Sequence, residues 1–337
     1  MFGTDLPIIQ APMAGAQGSA MAIGVCNAGG MGSLPCAMLT PDGIAKEIAQ
    51  IRAHVQGPFN VNFFCHTPPE PDAERERTWR TLLSPYYAEL GLEPPATKGP
   101  VRTPFDAAAA AVLEQLTPPI VSFHFGLPAD PLLQRVRATG AKIFGSATTV
   151  AEALWLQGKG VDAVIAQGVE AGGHRGMFLS DDITTQVGTI ALVAQLVHVL
   201  SVPVIAAGGI ADASGVRAAL ALGATAAQVG TAYLLCPEAT TTAVHRAALS
   251  SDAARHTALT NLFTGRPARG IVNRVMRELG PMRTDIPPFP LASAAIVPLR
   301  TAAEATGSGD FSPLWAGQNA AGCRAVSAGA LTRQLAP

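Results

Sequence analysis

The sequence has few charged residues, few aromatic residues and no long hydrophobic run. Charged residues make up 14% of the 337 positions, aromatic residues make up 5%, and the formal net charge is −1. A balance this close provides no electrostatic surface for nucleic acid or for an anionic membrane. The apolar segment 189–200 is too short to cross a bilayer, and residues 1–5 lack the start of a secretory signal. We therefore expect a cytoplasmic protein without nucleic-acid or membrane partners.

Cysteine is also scarce, with five residues in the chain. The number is odd and no two cysteines have the C-x-x-C spacing, which argues against a disulfide framework and against a structural zinc site. No group of His, Asp and Glu has metal-ligand spacing, so we expect no metal. The chain also lacks the Gly-x-Ser-x-Gly turn of serine hydrolases, so a hydrolase triad is not expected.

Apolar residues are abundant, at 48% of the chain, and 34 glycines and 27 prolines separate them into short runs. Runs that read as strands alternate with longer segments of helical periodicity. Eight strands are predicted, at residues 6–11, 31–34, 59–64, 120–123, 142–146, 163–167, 204–207 and 226–229. Eight consecutive right-handed β-α units close into a parallel (β/α)8 TIM barrel. An open, doubly wound sheet is the structural alternative.

Two segments do not follow the βα rhythm. Residues 66–105 are rich in Pro, Glu and Arg and are too long for an ordinary loop, so we predict an insertion with a helix near 74–90. Beyond residue 236 the chain becomes helical and polar. We expect a barrel domain at 1–235, a smaller and mostly helical domain over its C-terminal face at 236–315, and a segment at 316–337 that returns to the barrel. Alanine-rich helix faces suit a core or an interface equally, which leaves a homo-oligomer open.

In a parallel barrel the active site lies at the C-terminal ends of the strands, and phosphate groups commonly bind after the seventh and eighth strands. Gly208 and Gly209 follow the seventh predicted strand. The segment Gln228-Val229-Gly230-Thr231 ends the eighth. Glycine lets the backbone approach a phosphate closely, and backbone N–H groups and a hydroxyl can then donate to it. The alternative is that these glycines form tight turns only.

Two further strand ends suit a flat heterocyclic ring. Ala11, Pro12, Met13 and Ala14 follow the first strand, where small residues and a fixed proline leave room against the backbone. Asn62, at the end of the third strand, offers both a donor and an acceptor. The alternatives are that the segment 11–14 is a plain loop and that Asn62 is a capping residue.

The segment 167–176, after the sixth strand, carries the strongest sign of catalysis. It holds four glycines, an imidazole at His174 and a guanidinium at Arg175. A histidine on a flexible loop at the reactive rim of a barrel favours a catalytic role. Arg175 would favour an anionic substrate and a neutral imidazole nearby, although a surface salt bridge is equally compatible. His124, after the fourth strand, is a second candidate substrate contact or else a wall residue.

These segments, together with Leu314-Trp315-Ala316-Gly317-Gln318, resemble the bacterial nitronate monooxygenases, formerly called 2-nitropropane dioxygenases. The resemblance follows chain order over nearly the whole sequence. Its Gly-Gly-His core, Gly172-Gly173-His174, is shared with flavin-dependent enoyl-ACP reductases and related quinone reductases. The arginine after that histidine and the C-terminal Trp-Ala-Gly-Gln are more similar to the monooxygenases.

The resemblance implies an FMN enzyme, with His174 as its catalytic histidine and no metal. The implied reaction is the oxidation of an alkyl nitronate, such as propionate 3-nitronate, by O2 to a carbonyl compound and nitrite. An NAD(P)H-dependent FMN reductase and a non-catalytic flavin-binding barrel remain alternatives. The expected cofactor-binding residues are Ala11, Pro12, Met13, Ala14, Asn62, Gln167, Gly172, Gly173, Gly208, Gly209, Gln228, Val229, Gly230 and Thr231, and the expected substrate contacts are His124 and Arg175.

Overall fold

A barrel of eight parallel strands forms the core of the computed structural model, which describes residues 2–94 and 102–337. The strands run around the barrel in the order β1-β9-β8-β6-β5-β4-β3-β2. Their bounds are β1 (Ile8–Gln10), β2 (Ser33–Pro35), β3 (Asn60–Phe64), β4 (Ile120–His124), β5 (Lys142–Ala147), β6 (Ala163–Gln167), β8 (Val204–Ala207) and β9 (Ala226–Val229). The predicted (β/α)8 barrel is therefore confirmed, with strand ends that differ by a few residues.

The barrel closes between β1 and the residues that precede β2. Ile9 and Met31 form a parallel bridge, in which Met31 N donates to Ile8 O and Gln10 N donates to Met31 O, at 2.8 and 2.9 Å. On the other side of β1, Ile8 to Gln10 pair with Ala227 to Val229 of β9. Every barrel strand thus has two neighbours, and the sheet has no open edge there.

Seven helices follow the barrel strands, and local sequence signals fix where they begin. The side chains of Thr40, Thr149 and Asp212 each accept a backbone N–H three residues further on, as N-cap residues do. On these helices, apolar residues at helical spacing lie on one face, and that face packs on the barrel. The bounds are α1 (Ser19–Cys26), α2 (Pro41–His54), α4 (Ala107–Leu116), α5 (Asp130–Ala138), α6 (Val150–Gly158), α7 (Thr189–Val199) and α8 (Ala213–Ala221).

A three-stranded antiparallel sheet lies outside the barrel. Its members are β7 (Gly173–His174), β10 (Thr257–Thr260) and β11 (Ala268–Ile271), in the order β10-β11-β7. The sequence predicts a mostly helical region after residue 236, and the two strands there were missed because each has only four residues. The pairing of β11 with β7 is important for the site, because β7 carries His174.

The predicted insertion contributes a helix, α3 (Ala73–Glu89), that packs away from the barrel wall. It contacts α11 (Ser293–Ala305) in a separate apolar cluster. Trp79 Nε1 donates to Ala292 O at 2.9 Å, and the Tyr87 hydroxyl donates to Ala295 O at 2.7 Å. The insertion therefore helps to build the smaller region rather than the barrel. Residues 95–101 of the predicted insertion lie outside the described residues.

Three short helices complete the chain: α9 (Ala243–Leu249), α10 (Arg274–Leu279) and α12 (Ala328–Gln334). The last of these packs on α1, and Thr332 Oγ1 lies 2.9 Å from the Tyr233 hydroxyl. The C-terminal segment thus rests on the barrel. Within residues 2–94 and 102–337, none of the helices combines the length and apolar character that a membrane span needs.

Replacing Trp79 with alanine tests the attachment of α3. The indole is buried and its N–H is hydrogen bonded, so Trp79→Ala should lower the free energy of unfolding by about 3–5 kcal/mol. Urea denaturation followed by circular dichroism measures the change. Arg77→Ala, at an exposed position on the same helix, is the matched control and should change it by less than about 0.5 kcal/mol. Equal effects of the two substitutions would contradict the packing described.

Candidate active site

A cavity of about 280 Å³ opens at the C-terminal ends of the barrel strands. Barrel loops line one side, and residues of the smaller region line the other. All the site residues predicted from the sequence contribute to its wall except Val229 and Arg175. Those that do are Ala11, Pro12, Met13, Ala14, Asn62, His124, Gln167, Gly172, Gly173, His174, Gly208, Gly209, Gln228, Gly230 and Thr231.

One end of the cavity offers unpaired backbone donors. Gly208 and Gly209 have φ angles of +124° and +70°, which favour glycine. The N–H groups of Gly209 and Ile210 have no acceptor among the described residues, whereas Gly209 O accepts from Asn319 Nδ2 at 3.0 Å. Thr231 Oγ1 accepts from Gly317 N at 2.9 Å, which leaves its own proton to donate. This arrangement of donors suits an oxyanion such as a phosphate.

Val229 does not reach the cavity. Its side chain is fully buried in the barrel core, and its carbonyl accepts from Ala11 N at 2.8 Å. Side chains alternate between the two faces of a strand, so the residue between Gln228 and Gly230 points the other way. The side chain of Val229 therefore cannot make the predicted cofactor contact, which would have to come from its backbone.

Polar groups in the middle of the cavity are available for a heterocycle. Asn62 Nδ2 donates to Ser122 Oγ at 2.9 Å, while its Oδ1 receives no hydrogen bond from the described residues. Gln228 Oε1 is buried and has no hydrogen-bond partner in the described parts of the chain. A buried carbonyl oxygen without a partner is costly, so this atom is suited to accept a hydrogen bond from a ligand.

Hydrogen bonds to its own backbone position His174. The residue pairs with Ala268 of β11, and its carbonyl accepts from Gln167 Nε2 at 3.0 Å and from His124 Nε2 at 3.2 Å. Gln167 Oε1 also accepts from Gly176 N at 2.7 Å. The Gln167 amide therefore fixes the loop and also lines the cavity, and its contact with a cofactor stays a prediction.

The imidazoles in this region are held neutral. Burial lowers the pKa of His174 well below its ordinary value, and the charge of Arg102 lowers it further. Burial likewise lowers the pKa of His124 to about 3. Aromatic rings enclose His174, with ring centroids of Phe289 and Trp315 at 5.3 and 5.5 Å. The site thus presents an uncharged imidazole in a largely apolar surround.

Arg175 lies inside the loop rather than in the cavity. The residue is fully buried, and its guanidinium donates to Gln167 O and Gly168 O, both at 2.7 Å, and to Gln186 Oε1 at 2.9 Å. These bonds tie the loop to the end of β6. The expectation that Arg175 contacts a substrate is therefore wrong, because all three kinds of guanidinium nitrogen already bind the protein.

Several cavity residues were missed in the sequence, and they include charged and polar side chains from outside the barrel. Arg102 has no carboxylate or hydrogen-bond partner for its guanidinium among the described residues. Arg300 Nε, in contrast, pairs with Glu304 Oε1 at 2.8 Å. His245 Nε2 donates to Trp315 O at 3.1 Å. Leu314, Trp315 and Gly317 belong to the segment 314–318 noted in the sequence, whereas Arg102, His245 and Arg300 carried no signal there. In the part of the chain that the structure describes, no cluster of His, Cys, Asp and Glu could hold a metal ion.

Comparisons with a family model and with known proteins indicate one and the same family. The family model described as nitronate monooxygenase matches residues 1–337. A nitronate monooxygenase of Paraburkholderia phytofirmans is 44% identical, over 99% of this chain and 92% of that protein. A nitronate monooxygenase of Pseudomonas aeruginosa is 43% identical, over 99% of this chain and 96% of that protein. The crystal structure of nitroalkane oxidase from Streptomyces ansochromogenes superposes with a TM-score of 0.89 at 39% identity, covering 99% of this chain and 95% of that one.

The buried position of Arg175 predicts a large effect of a conservative change. In Arg175→Lys the charge remains, but a lysine cannot donate to three oxygens in a fixed plane. At least one buried carbonyl should lose its partner, which costs about 1–3 kcal/mol. Thermal unfolding measures the loss, and limited proteolysis should cleave within residues 168–176. Arg217→Lys, exposed on α8, should have no such effect, and a similar shift there would count against the assignment.

Proposed function

The chain belongs to the nitronate monooxygenase family, and on that premise we propose that it binds FMN and converts alkyl nitronates, with O2, into a carbonyl compound and nitrite. The observation that carries the proposal is a single cavity. A neutral imidazole at His174 opens onto the same space as the unpaired backbone donors at Gly209 and Ile210.

The residues present fit FMN. The N–H groups of Gly209 and Ile210 and the hydroxyl of Thr231 would hold its phosphate, and Gln228 Oε1 would accept from its ring system. A Cβ on Gly208 would lie 2.7 Å from Thr189 Oγ1, so a side chain there would disturb this cradle. Bound flavin would supply the redox chemistry between the substrate and O2.

The protein's own residues attract, orient and enclose the substrate. Arg102 gives this part of the cavity a positive field, since the charge of Arg300 is paired with Glu304. A positive field suits a nitronate because the substrate is already an anion. His174 contacts its polar end. The rings of Phe289 and Trp315 exclude water from the imidazole, which strengthens each polar interaction there.

The function is tested with the purified protein in the absence of oxygen. Propionate 3-nitronate, ethylnitronate, NADH and NADPH are each mixed with it, flavin absorbance is followed, and nitrite is assayed after air is admitted. We expect bound FMN, rapid bleaching by the nitronates and nitrite release. Bleaching by NADH or NADPH but by no nitronate would identify a reductase instead. Bound flavin without turnover of any donor would identify a non-catalytic protein.

His174→Asn is the matching variant. It should retain FMN, because the cradle at Gly209 and Thr231 is untouched, and lose about 100-fold or more in nitronate turnover. The flavin-to-protein ratio is the control for intact binding. Full activity in this variant would remove His174 from the reaction.

Arg102 should discriminate among nitronates. Its guanidinium lies 5.7 Å from the centroid of the Phe289 ring and has no hydrogen-bond or carboxylate partner among the described residues, so the carboxylate of propionate 3-nitronate can pair with it. A hydrogen bond to a charged group is worth about 1.5–3 kcal/mol, so Arg102→Met should raise the KM for propionate 3-nitronate about 10-fold or more. Ethylnitronate lacks the carboxylate and serves as the control substrate. An equal rise for both substrates would show that Arg102 acts only through the general field.

A further inference from the structure

A hydroxyl outside the barrel contacts the imidazole of His174. Thr264 lies in the turn between β10 and β11 and is buried, and its Oγ1 is 2.9 Å from His174 Nε2. Oγ1 also lies 3.4 Å from Arg266 O. No part of the proposed function uses Thr264, and no motif in the sequence singles it out.

The two contacts of this hydroxyl favour one position for its proton. A carbonyl oxygen can only accept, so both contacts are hydrogen bonds only if the hydroxyl donates its proton to Arg266 O. The hydroxyl oxygen must then accept from His174, which requires a proton on Nε2. Since the imidazole is neutral, Nδ1 carries none.

The other ring nitrogen faces the cavity. His174 Nδ1 has no hydrogen-bond partner among the described residues. It is also not fully buried, unlike the unpartnered polar atoms in the interior of the described chain. His174 itself lines the cavity. We propose that Thr264 is a positioning residue, which fixes His174 in the Nε2–H tautomer and so presents the unprotonated Nδ1 to the substrate.

The turn that carries Thr264 is rigid enough for this task. Asn261 O accepts from Thr264 N at 3.3 Å and from Gly265 N at 2.7 Å. Gly265 has a φ angle of +89°, and a Cβ there would lie 2.3 Å from Pro287 O. The backbone therefore cannot shift easily in this turn, and the hydroxyl stays beside the ring.

An acceptor nitrogen can remove a proton from carbon. In a neutral nitroalkane, the α C–H bond would break, its electron pair would delocalise onto the nitro group, and the proton would pass to Nδ1. The product is the nitronate, whose oxidation rests on the proposed function. The tautomer thus predicts that the protein consumes neutral nitroalkanes as well as nitronates, with His174 as the base.

The charged and titratable groups around the ring determine its pH range. Arg102, Arg266, His66 and His124 all lower the pKa of His174, and none of them would stabilise an imidazolium. A base must be unprotonated to act, so its activity is retained above its pKa and lost as the pH falls through it. The kcat/KM of nitroethane should therefore stay level through about pH 6.5, the ordinary value for histidine, and decline only at lower pH.

Two variants at residue 264 test the proposal. Thr264→Val keeps the shape and removes the hydroxyl, whereas Thr264→Ser keeps the hydroxyl. For Thr264→Val, kcat/KM should fall about tenfold or more with nitroethane and less than about threefold with ethylnitronate. Thr264→Ser should stay within about threefold of wild type for both. Equal losses for both substrates in Thr264→Val, or a loss in Thr264→Ser as large as in Thr264→Val, would overturn the positioning role.

A spectroscopic measurement gives an answer that does not depend on turnover. In protein labelled with ¹⁵N-histidine, wild type should show His174 with a protonated Nε2 and an unprotonated Nδ1, and Thr264→Val should show a mixture of tautomers. Signals are assigned by their loss in His174→Asn. A proton on Nδ1 in wild type would refute the proposal. Failure of wild type to oxidise ethylnitronate would instead refute the proposed function and leave the tautomer result standing.

Discussion

The geometry of the site depends on the buried hydrogen bonds of Arg175. Its guanidinium joins the carbonyls of Gln167 and Gly168, at the end of β6, to the residue that follows His174. A buried guanidinium is stable only when its donors are satisfied, so the loop has little freedom to leave this conformation. The same loop is paired with β11 from outside the barrel. The reactive imidazole is thus fixed by two parts of the chain that lie far apart in sequence.

This fixed position has an electrostatic consequence. His174 is enclosed by aromatic rings and by the cations Arg102 and Arg266, without a carboxylate to balance a second positive charge. A neutral ring is the stable state there, and a free anion is the complementary ligand. The same field that lowers the pKa of the imidazole would therefore attract the proposed nitronate substrate. The positive charges of Arg102 and Arg266 would thus account both for the attraction of an anionic substrate and for the unprotonated nitrogen of His174 at neutral pH.

Much of this arrangement was predictable from local sequence, and the reasons are physical. Strand ends, glycine loops and helix caps depend on a few neighbouring residues, so the barrel and the segments around Asn62, His174 and Gly209 could be located. The buried positions of the Arg175 and Val229 side chains were not predicted, because side-chain direction is set by tertiary packing. Arg102 and Thr264 were missed because their significance lies only in a contact between distant segments.

The two sides of the cavity contribute in different ways. The barrel side provides mainly backbone groups and glycines, such as Gly208 and Gly209, whose geometry is set by strand ends and tolerates few side chains. The smaller region provides side chains, such as Arg300 and Glu304 on α11, whose identity can change without altering the barrel. A change on α11 alters what the cavity attracts, whereas a change at Gly208 alters whether a phosphate fits at all. The proposed cofactor cradle and the proposed substrate preference can therefore vary independently, although both parts of the cavity open onto the ring of His174.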